Sequence, residues 1–135
     1  MKTNKPFFDT NVLLYLLSED ACKANRAEAI VVNGGIISVQ VLNEFASVAS
    51  RKLKMSYAEI HDVLRTVRAV CQVKSITVET HELGLNIAER LGFSLYDSLI
   101  ISSALQSGCT VLYSEDMQNG QKIDGQLVIL NPFLD

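Results

Sequence analysis

Hydrophobic residues along the chain fall into short β-branched runs that alternate with longer stretches of helical periodicity. The short runs predict strands at residues 5–8, 36–37, 73–78, 110–113 and 127–130. The longer stretches predict helices at residues 12–17, 21–32, 39–54, 56–70, 80–92 and 94–108. Strands that alternate with helices in this way are typical of an α/β fold with a mainly parallel sheet.

Local signals place several of the helix ends. The second helix is expected to stop at Asn33-Gly34-Gly35, because glycine readily adopts the backbone that ends a helix. Ser56 begins the fourth helix, and Glu59 three residues later completes a capping box. The two prolines, Pro6 and Pro132, lie near the ends of the chain, so neither interrupts these elements.

Length and composition indicate one folded domain over residues 1–135. The 135 residues suffice for one hydrophobic core and leave no room for a second. Hydrophobic residues make up 48% of the chain and its mean hydropathy is +0.20, which excludes a disordered protein. This apolar content is generous for a small monomer, so we expect a partner surface, either in a dimer or against a second protein.

The charge, the cysteines and the N-terminal stretch exclude further classes of protein. A net charge of -3 argues against a protein that coats nucleic acid through bulk electrostatics, although it permits an enzyme with a local acidic metal site. Three cysteines without a CxxC pair indicate reduced thiols. Asp9 interrupts the apolar N-terminal stretch, so we expect neither a signal peptide nor a membrane span, and a cytoplasmic location by default.

Two aspartates are predicted to lie where strands end. Asp9 directly follows Phe7-Phe8, and Asp116 follows the predicted strand at residues 110–113. Ligands of parallel sheets bind beyond the carboxyl ends of the strands, so both positions are candidates for a functional site. The simpler alternatives are a helix N-cap for Asp9 and an ordinary loop residue for Asp116.

Two further acids lie on predicted helices. The apolar residues around Asp97 point in nearly every direction, so its helix should be buried all round, and a buried carboxylate needs a partner. A capping box with Ser94 is the alternative role for Asp97. Glu44 lies at the boundary between the apolar and polar faces of its helix, where a solvated flank is the simpler interpretation.

Four carboxylates in one crevice would repel one another unless cations were bound. Hard oxygen ligands select Mg²⁺ or Mn²⁺ over zinc, and acidic sites of this kind support two-metal phosphodiester chemistry. His61 and His81 share no metal-ligand spacing, and no GxSxG, P-loop or GxGxxG motif is present. Basic residues gather in two groups, which are interpreted as parts of solvated surfaces or, alternatively, as RNA contacts. The groups are Arg51, Lys52 and Lys54, and Arg65 and Arg68.

Four segments resemble, in order, the acidic motifs of PIN-domain proteins. They are Phe7-Phe8-Asp9-Thr10-Asn11-Val12-Leu13, Val41-Leu42-Asn43-Glu44-Phe45, Leu95-Tyr96-Asp97-Ser98-Leu99-Ile100 and Leu112-Tyr113-Ser114-Glu115-Asp116-Met117. The C-terminal stretch from Ser114 to Phe133 is similar to that of VapC-type toxins from bacterial toxin–antitoxin pairs. The resemblance implies a three-layer sandwich whose mainly parallel sheet has about five strands, with helices on both faces.

The same resemblance implies a metal-dependent endoribonuclease. Its catalytic and metal-binding acids would be Asp9, Glu44, Asp97 and Asp116, with Mg²⁺ or Mn²⁺ activating a water that attacks the RNA phosphodiester. Asn11 and Ser114 would support these acids. Some family members carry a further aspartate where this chain has Gln118.

The resemblance also implies partners, while two other functions stay open. A VapC-type toxin would form a homodimer and bind a small antitoxin. One alternative is a catalytically silent PIN-like interaction module. The other is an acidic α/β phosphotransfer protein, although a haloacid-dehalogenase-like site would need an aspartate where this chain has Asn11.

Overall fold

A six-stranded sheet organises residues 2–134, the part of the chain that this computed structural model describes. The strands are β1 (Phe7–Phe8), β2 (Gly35–Ser38), β3 (Cys71–Lys74), β4 (Val111–Tyr113), β5 (Lys122–Ile123) and β6 (Leu127–Leu130). The helices are α1 (Thr10–Leu14), α2 (Ala21–Val31), α3 (Val39–Arg51), α4 (Tyr57–Val70), α5 (Val78–Leu91) and α6 (Leu95–Gln106). A 3-10 turn, Tyr15–Leu17, follows α1.

The strand order is β3-β2-β1-β4-β6-β5, and every neighbouring pair is parallel except β5 with β6. Phe7 in β1 pairs with Ile36 on one side and with Leu112 on the other. The predicted α/β fold with a mainly parallel sheet is therefore confirmed. Because β1 and β4 run side by side in the same direction, the residues that follow them emerge at the same edge of the sheet.

The sheet has one strand more than the five that were expected. β5 lies between the strands predicted at residues 110–113 and 127–130, where no strand was expected because two residues are too few to show an alternating pattern. Asp124 and Gly125 both have positive φ, and the Gln126 N–H donates to the Ile123 carbonyl at 3.0 Å. This Asp-Gly turn folds β5 back onto β6, and it is the local signal that the prediction missed.

The segment after β3 also differs from the prediction. The β-branched run at residues 73–78 indicated a strand, but β3 ends at Lys74 and α5 begins at Val78. Thr77 caps α5, since its hydroxyl accepts from the Thr80 N–H at 3.2 Å and Thr80 returns a bond to the Thr77 N–H. The helix predicted to begin at Thr80 therefore begins two residues earlier, because the capping pair outweighs the strand preference of the run.

The core lies between the central strands and the helices, with α3 and α6 packed against β2. Phe7, Phe8 and Phe45 are fully buried, as are most residues in the middle of α6. The first turn of α6 departs from the predicted burial all round, because Leu95 and Tyr96 are exposed. No helix in residues 2–134 is long and apolar enough to cross a membrane.

Candidate functional site

The four predicted site acids line one cleft of about 340 Å³ at the carboxyl ends of β1 and β4. Asp9 follows β1 and Asp116 lies three residues beyond β4, while the Asp9 N–H donates to the Tyr113 carbonyl at 3.0 Å. α3 brings Glu44 to the cleft and α6 brings Asp97. Four segments that are distant in sequence therefore place carboxylates around a common space.

Asp9 is the most deeply buried of these acids, with 6% of its surface exposed. Its Oδ1 accepts from the Thr10 N–H at 2.7 Å, and its Oδ2 accepts from the Ser114 hydroxyl at 2.8 Å. The N-cap role is thus real, and it leaves the carboxylate at the cleft. Burial raises the pKa of Asp9 to about 6; both hydrogen bonds oppose this effect, and the charges of Asp97 and Asp116 add to it.

Glu44 is half-buried and directed towards the cleft by two hydrogen bonds. The Thr10 hydroxyl donates to its Oε1 at 2.6 Å, and Gln40 Nε2 contacts its Oε2 at 3.4 Å. Neither Thr10 nor Gln40 was singled out from the sequence. Thr10 lies inside the Asp-Thr-Asn motif, and Gln40 lies one helical turn before Glu44. Their spacing from the predicted acids could therefore have identified both residues.

Asp97 begins the buried part of α6 and is itself half-buried. Its N–H donates to the Ser94 hydroxyl at 3.2 Å, which caps the helix. Within residues 2–134 the return bond of a full capping box, from the Ser94 N–H to the Asp97 carboxylate, does not form. Burial raises the pKa of Asp97, Ser94 opposes this effect, and the charges of Asp116 and Glu44 reinforce it.

Asn11 and Ser114, the predicted supporting residues, connect the acids. Asn11 Nδ2 donates to Asp116 Oδ2 at 2.9 Å, and Asn11 Oδ1 accepts from the Glu115 N–H at 3.3 Å. The Ser114 hydroxyl donates to Asp9 and accepts from the Asp116 N–H at 3.3 Å. The position of Asp116, which is exposed at the mouth of the cleft, is therefore coupled to that of Asp9.

A second cluster holds the loop that carries Asp116. The Tyr15 hydroxyl donates to Glu115 Oε1, and Lys23 Nζ pairs with Glu115 Oε2 at 2.9 Å. Lys23 also lies 4.5 Å from the centre of the Tyr15 ring, and Phe133 packs edge-on against the same ring. Burial alone would raise the pKa of Glu115, but the bonds from Tyr15 and Lys23 outweigh it and lower the pKa.

We call Tyr15, Lys23 and Glu115 the tethering cluster. This cluster was not predicted from the sequence, because Glu115 lies about 100 positions from its partners and no local pattern pairs them. Its backbone neighbour Asp116 lies in the cleft, so the cluster fixes the acid loop from outside the site.

The donor set of the cleft consists of oxygen ligands. Within residues 2–134, no three His, Cys, Asp or Glu side chains come close enough together to form a ready-made metal site. Mg²⁺ requires no such cage, because it usually takes one or two protein carboxylates and completes its shell with water and substrate phosphates. Arg51 is the one cationic side chain of the described residues that lines the cleft.

Sequence comparison shows where this arrangement belongs. The model of the family described as PIN domain matches residues 7–120, a stretch that contains all four acids of the cleft. The chain belongs to the PIN domain family. The predicted PIN-like fold is thereby confirmed, whereas the catalytic and metal-binding roles of the four acids stay predictions. No curated protein matches the sequence at a significant level.

Solved structures share the fold of this PIN domain at low sequence identity. A toxin–antitoxin complex from Klebsiella pneumoniae has a TM-score of 0.67 and 21% identity, covering 95% of this chain and 98% of that chain. DNA-bound VapBC from Salmonella typhimurium has a TM-score of 0.71 and 17% identity, covering 96% and 99%. A VapC toxin of Mycobacterium tuberculosis, described as cleaving the sarcin–ricin loop, has a TM-score of 0.65 and 17% identity, covering 83% and 90%.

The raised pKa of Asp9 predicts that the metal-free protein is stabilised by mild acid. The folded state holds this proton up to about pH 6, whereas the ordinary value is 3.8, so the free energy of unfolding should fall as the pH rises between these values. This difference between the two pKa values corresponds to about 3 kcal/mol in the free energy of unfolding. Urea denaturation in the presence of EDTA should show this fall, and Asp9→Asn should remove most of it.

Asp62→Asn is the matched control, because Asp62 is exposed on α4 and does not line the cleft. It should leave the pH dependence of the wild type unchanged. Identical pH profiles for the wild type and Asp9→Asn would contradict the assignment of the raised pKa to this carboxylate.

The tethering cluster predicts an energetic coupling between Tyr15 and Glu115. A double-mutant cycle of Tyr15→Phe and Glu115→Gln, followed by urea denaturation, should give a coupling of about 1 kcal/mol, since both groups are partly shielded from water. The exposed pair of Arg65 and Asp62, with 76% and 75% of the side chains exposed, provides the control cycle. Its coupling should be several-fold smaller. Equal couplings in the two cycles would show that the cluster adds no more than a surface contact.

Proposed function

We propose that this PIN domain is a metal-dependent endoribonuclease that acts in the cytoplasm. The observation that carries the proposal is the convergence of Asp9, Glu44, Asp97 and Asp116 on one cleft at the ends of β1 and β4. Four carboxylates from separate segments are a poor solution for stability alone, since each raises the cost of ionising its neighbours. Such an arrangement suits a protein that binds cations.

The four acids are proposed as the residues that hold Mg²⁺ or Mn²⁺. Carboxylate oxygens are the ligands that these ions prefer, and none of the described residues that line the cleft is a cysteine or a histidine. Asp9 supplies a buried charge that a cation would compensate, and Asp116 supplies an exposed one at the entrance. Asn11 and Ser114 support the site, because each contacts one of the acids through its side chain.

The chain's own groups prepare the cleft for phosphodiester hydrolysis. When bound, a divalent cation in such a site activates water and stabilises the leaving oxygen. Ser114 and the Thr10 N–H hold the Asp9 carboxylate in a single orientation, and the Thr10 hydroxyl holds Glu44. Arg51 at the rim offers a cationic contact for an RNA phosphate that would otherwise be repelled by the acids.

The similarity to solved structures supports RNA as the substrate. The Mycobacterium tuberculosis toxin that shares the fold is described as cleaving the sarcin–ricin loop, which is an RNA. Its identity to this chain is 17%, so the likeness by itself carries the fold, and the substrate class rests on the acid cleft together with it.

Cleavage of a labelled single-stranded RNA tests the proposal. The wild type should cleave with Mg²⁺ or Mn²⁺ and lose activity in EDTA, because water activation needs the ion. Asp9→Asn and Asp97→Asn should each reduce the rate by about 100-fold or more, while retaining a cooperative unfolding transition. The control Asp62→Asn should cleave like the wild type.

A folded wild type that cleaves no RNA with either metal would overturn the nuclease proposal. That outcome would favour the silent interaction module. Phosphotransfer to the protein is separable, since incubation with a phosphoryl donor such as acetyl phosphate would form an acyl phosphate on a carboxylate. This labile group can be reduced with borohydride and then detected by mass spectrometry. Metal-dependent cleavage that is unchanged in Asp9→Asn would place the active site elsewhere.

We further propose that a small antitoxin regulates the enzyme and that the chain forms a homodimer. Two of the similar structures are toxin–antitoxin assemblies of nearly the same chain length. An apolar groove of about 420 Å³ lies between the 3-10 turn, α2 and α4 and offers a surface for an amphipathic partner. It is lined mainly by Leu16, Leu17, Val31, Val63 and Val67. An arginine of that partner would pair with the carboxylates of the cleft.

Expression in bacteria tests the regulatory proposal. The wild type should arrest growth, Asp9→Ala should abolish the arrest, and co-expression of the product of a short neighbouring gene should restore growth and copurify with the chain. A chain that stays monomeric, copurifies with no such product and leaves growth unaffected is not a toxin of this kind, even if it cleaves RNA in vitro.

A further inference from the structure

A second recess adjoins the acid cleft and shares Glu44 and Ser47 with it. It measures about 390 Å³ and lies between α3, the loop before α5 and the start of α6. Nothing proposed above uses this recess. Because the two sites share residues, a polymer bound in the cleft can reach the recess without leaving the surface.

One side of the recess is apolar and carries an exposed aromatic ring. Tyr96 has 64% of its surface exposed, although residues 100, 101 and 104 of the same helix are buried. Ile76 and Leu99 lie beside it in the wall. A large exposed ring next to a polar cleft, with aliphatic groups at its side, provides a surface on which a flat ring can stack.

The other side of the recess carries side-chain amides. Gln40 is 8% exposed, and its Nε2 donates to the Tyr96 carbonyl at 3.2 Å as well as contacting Glu44. Both partners accept only, so the orientation of this amide is fixed, and no hydrogen bond among residues 2–134 engages its Oε1. Asn43 lies one turn along α3 and also lines the recess. Gln40 therefore joins the two sites through Glu44 and the first turn of α6.

We propose that this recess binds a nucleobase of single-stranded RNA next to the phosphate held at the acid cleft. The inference rests on the proposed nuclease function and names how the substrate is held. A base has an apolar face, which Tyr96 would stack, and a polar edge, which the amides of Gln40 and Asn43 would meet. A duplex does not present its bases in this way, so the site selects unpaired RNA.

The polar face of α3 connects the proposed base site to the acid cleft, where the RNA phosphate would lie. Gln40, Asn43, Ser47 and Arg51 follow one another along this face, over about 16 Å of helix. Arg51 Nε donates to the Ser47 hydroxyl at 3.1 Å, so the guanidinium is held at the far rim of the cleft. An RNA strand with a base in the recess would therefore next reach the carboxylates of the cleft and then the Arg51 guanidinium.

A single introduced tryptophan can report the stacking directly, because the chain contains no tryptophan. All binding is measured in an Asp9→Asn background, so that the RNA is not cleaved. In that background the variant Tyr96→Trp is titrated with a short single-stranded RNA in the presence of Mg²⁺, and with the same RNA made abasic at successive positions. We expect the fluorescence to be quenched by the intact RNA and much less by one of the abasic forms. Tyr96→Phe should bind like the wild type, and Tyr96→Leu should raise Kd by about ten-fold.

Tyr57→Leu is the matched control, since Tyr57 is similarly exposed but lies on α4 and lines neither site. It should leave Kd unchanged. Equal affinities of Tyr96→Leu and the wild type, or equal quenching by intact and abasic RNA, would overturn the base site. So would a change from dimer to monomer in Tyr96→Leu, measured by light scattering, because the ring would then belong to a contact between two copies.

The two proposals fail in different ways. Quenching and a ten-fold loss of affinity without any RNA cleavage would leave the base site standing and overturn the nuclease. Metal-dependent cleavage with no effect of Tyr96→Leu on KM or kcat would keep the nuclease and remove the base site.

Discussion

The buried carboxylate of Asp9 is the constraint on which the rest of the site depends. It lies at the end of a fully buried strand, where ionisation is costly, and the hydrogen bonds from the Thr10 N–H and the Ser114 hydroxyl partly offset that cost. Asp97 and Asp116 add further negative charge nearby. Burial of this charge lowers the stability of the fold at neutral pH, and a bound cation, as proposed, would offset that loss.

Contacts between residues distant in sequence hold the other parts of the cleft in place around Asp9. Ser114 joins Asp9 to the Asp116 loop, Asn11 reaches the same loop from α1, and the tethering cluster holds Glu115 from the opposite side. Gln40 links Glu44 to the first turn of α6. Because Asp9, Glu44 and Asp116 are each positioned by a residue from another element, changes in packing outside the cleft would alter the positions of these acids.

The strand ends and the acidic motifs could be predicted from sequence, because a buried run followed by an acid is a local pattern. β5 was missed because a two-residue strand has no period, and residues 73–78 were misassigned because the Thr77 cap outweighs their β-branched preference. The exposure of Tyr96 and the pairing of Tyr15 with Glu115 are set by how distant elements meet. No local pattern contains that information.

The stabilisation of the fold by Mg²⁺ as a function of pH tests the central claim most directly. If the buried Asp9 carboxylate attracts the ion, protons compete with it, so the rise in Tm on adding Mg²⁺ should be large near pH 7 and small near pH 5. Asp9→Asn should show little rise at either pH, with the ionic strength held constant by KCl. A Tm that does not respond to Mg²⁺, or that responds equally in the wild type and in Asp9→Asn, would contradict the account.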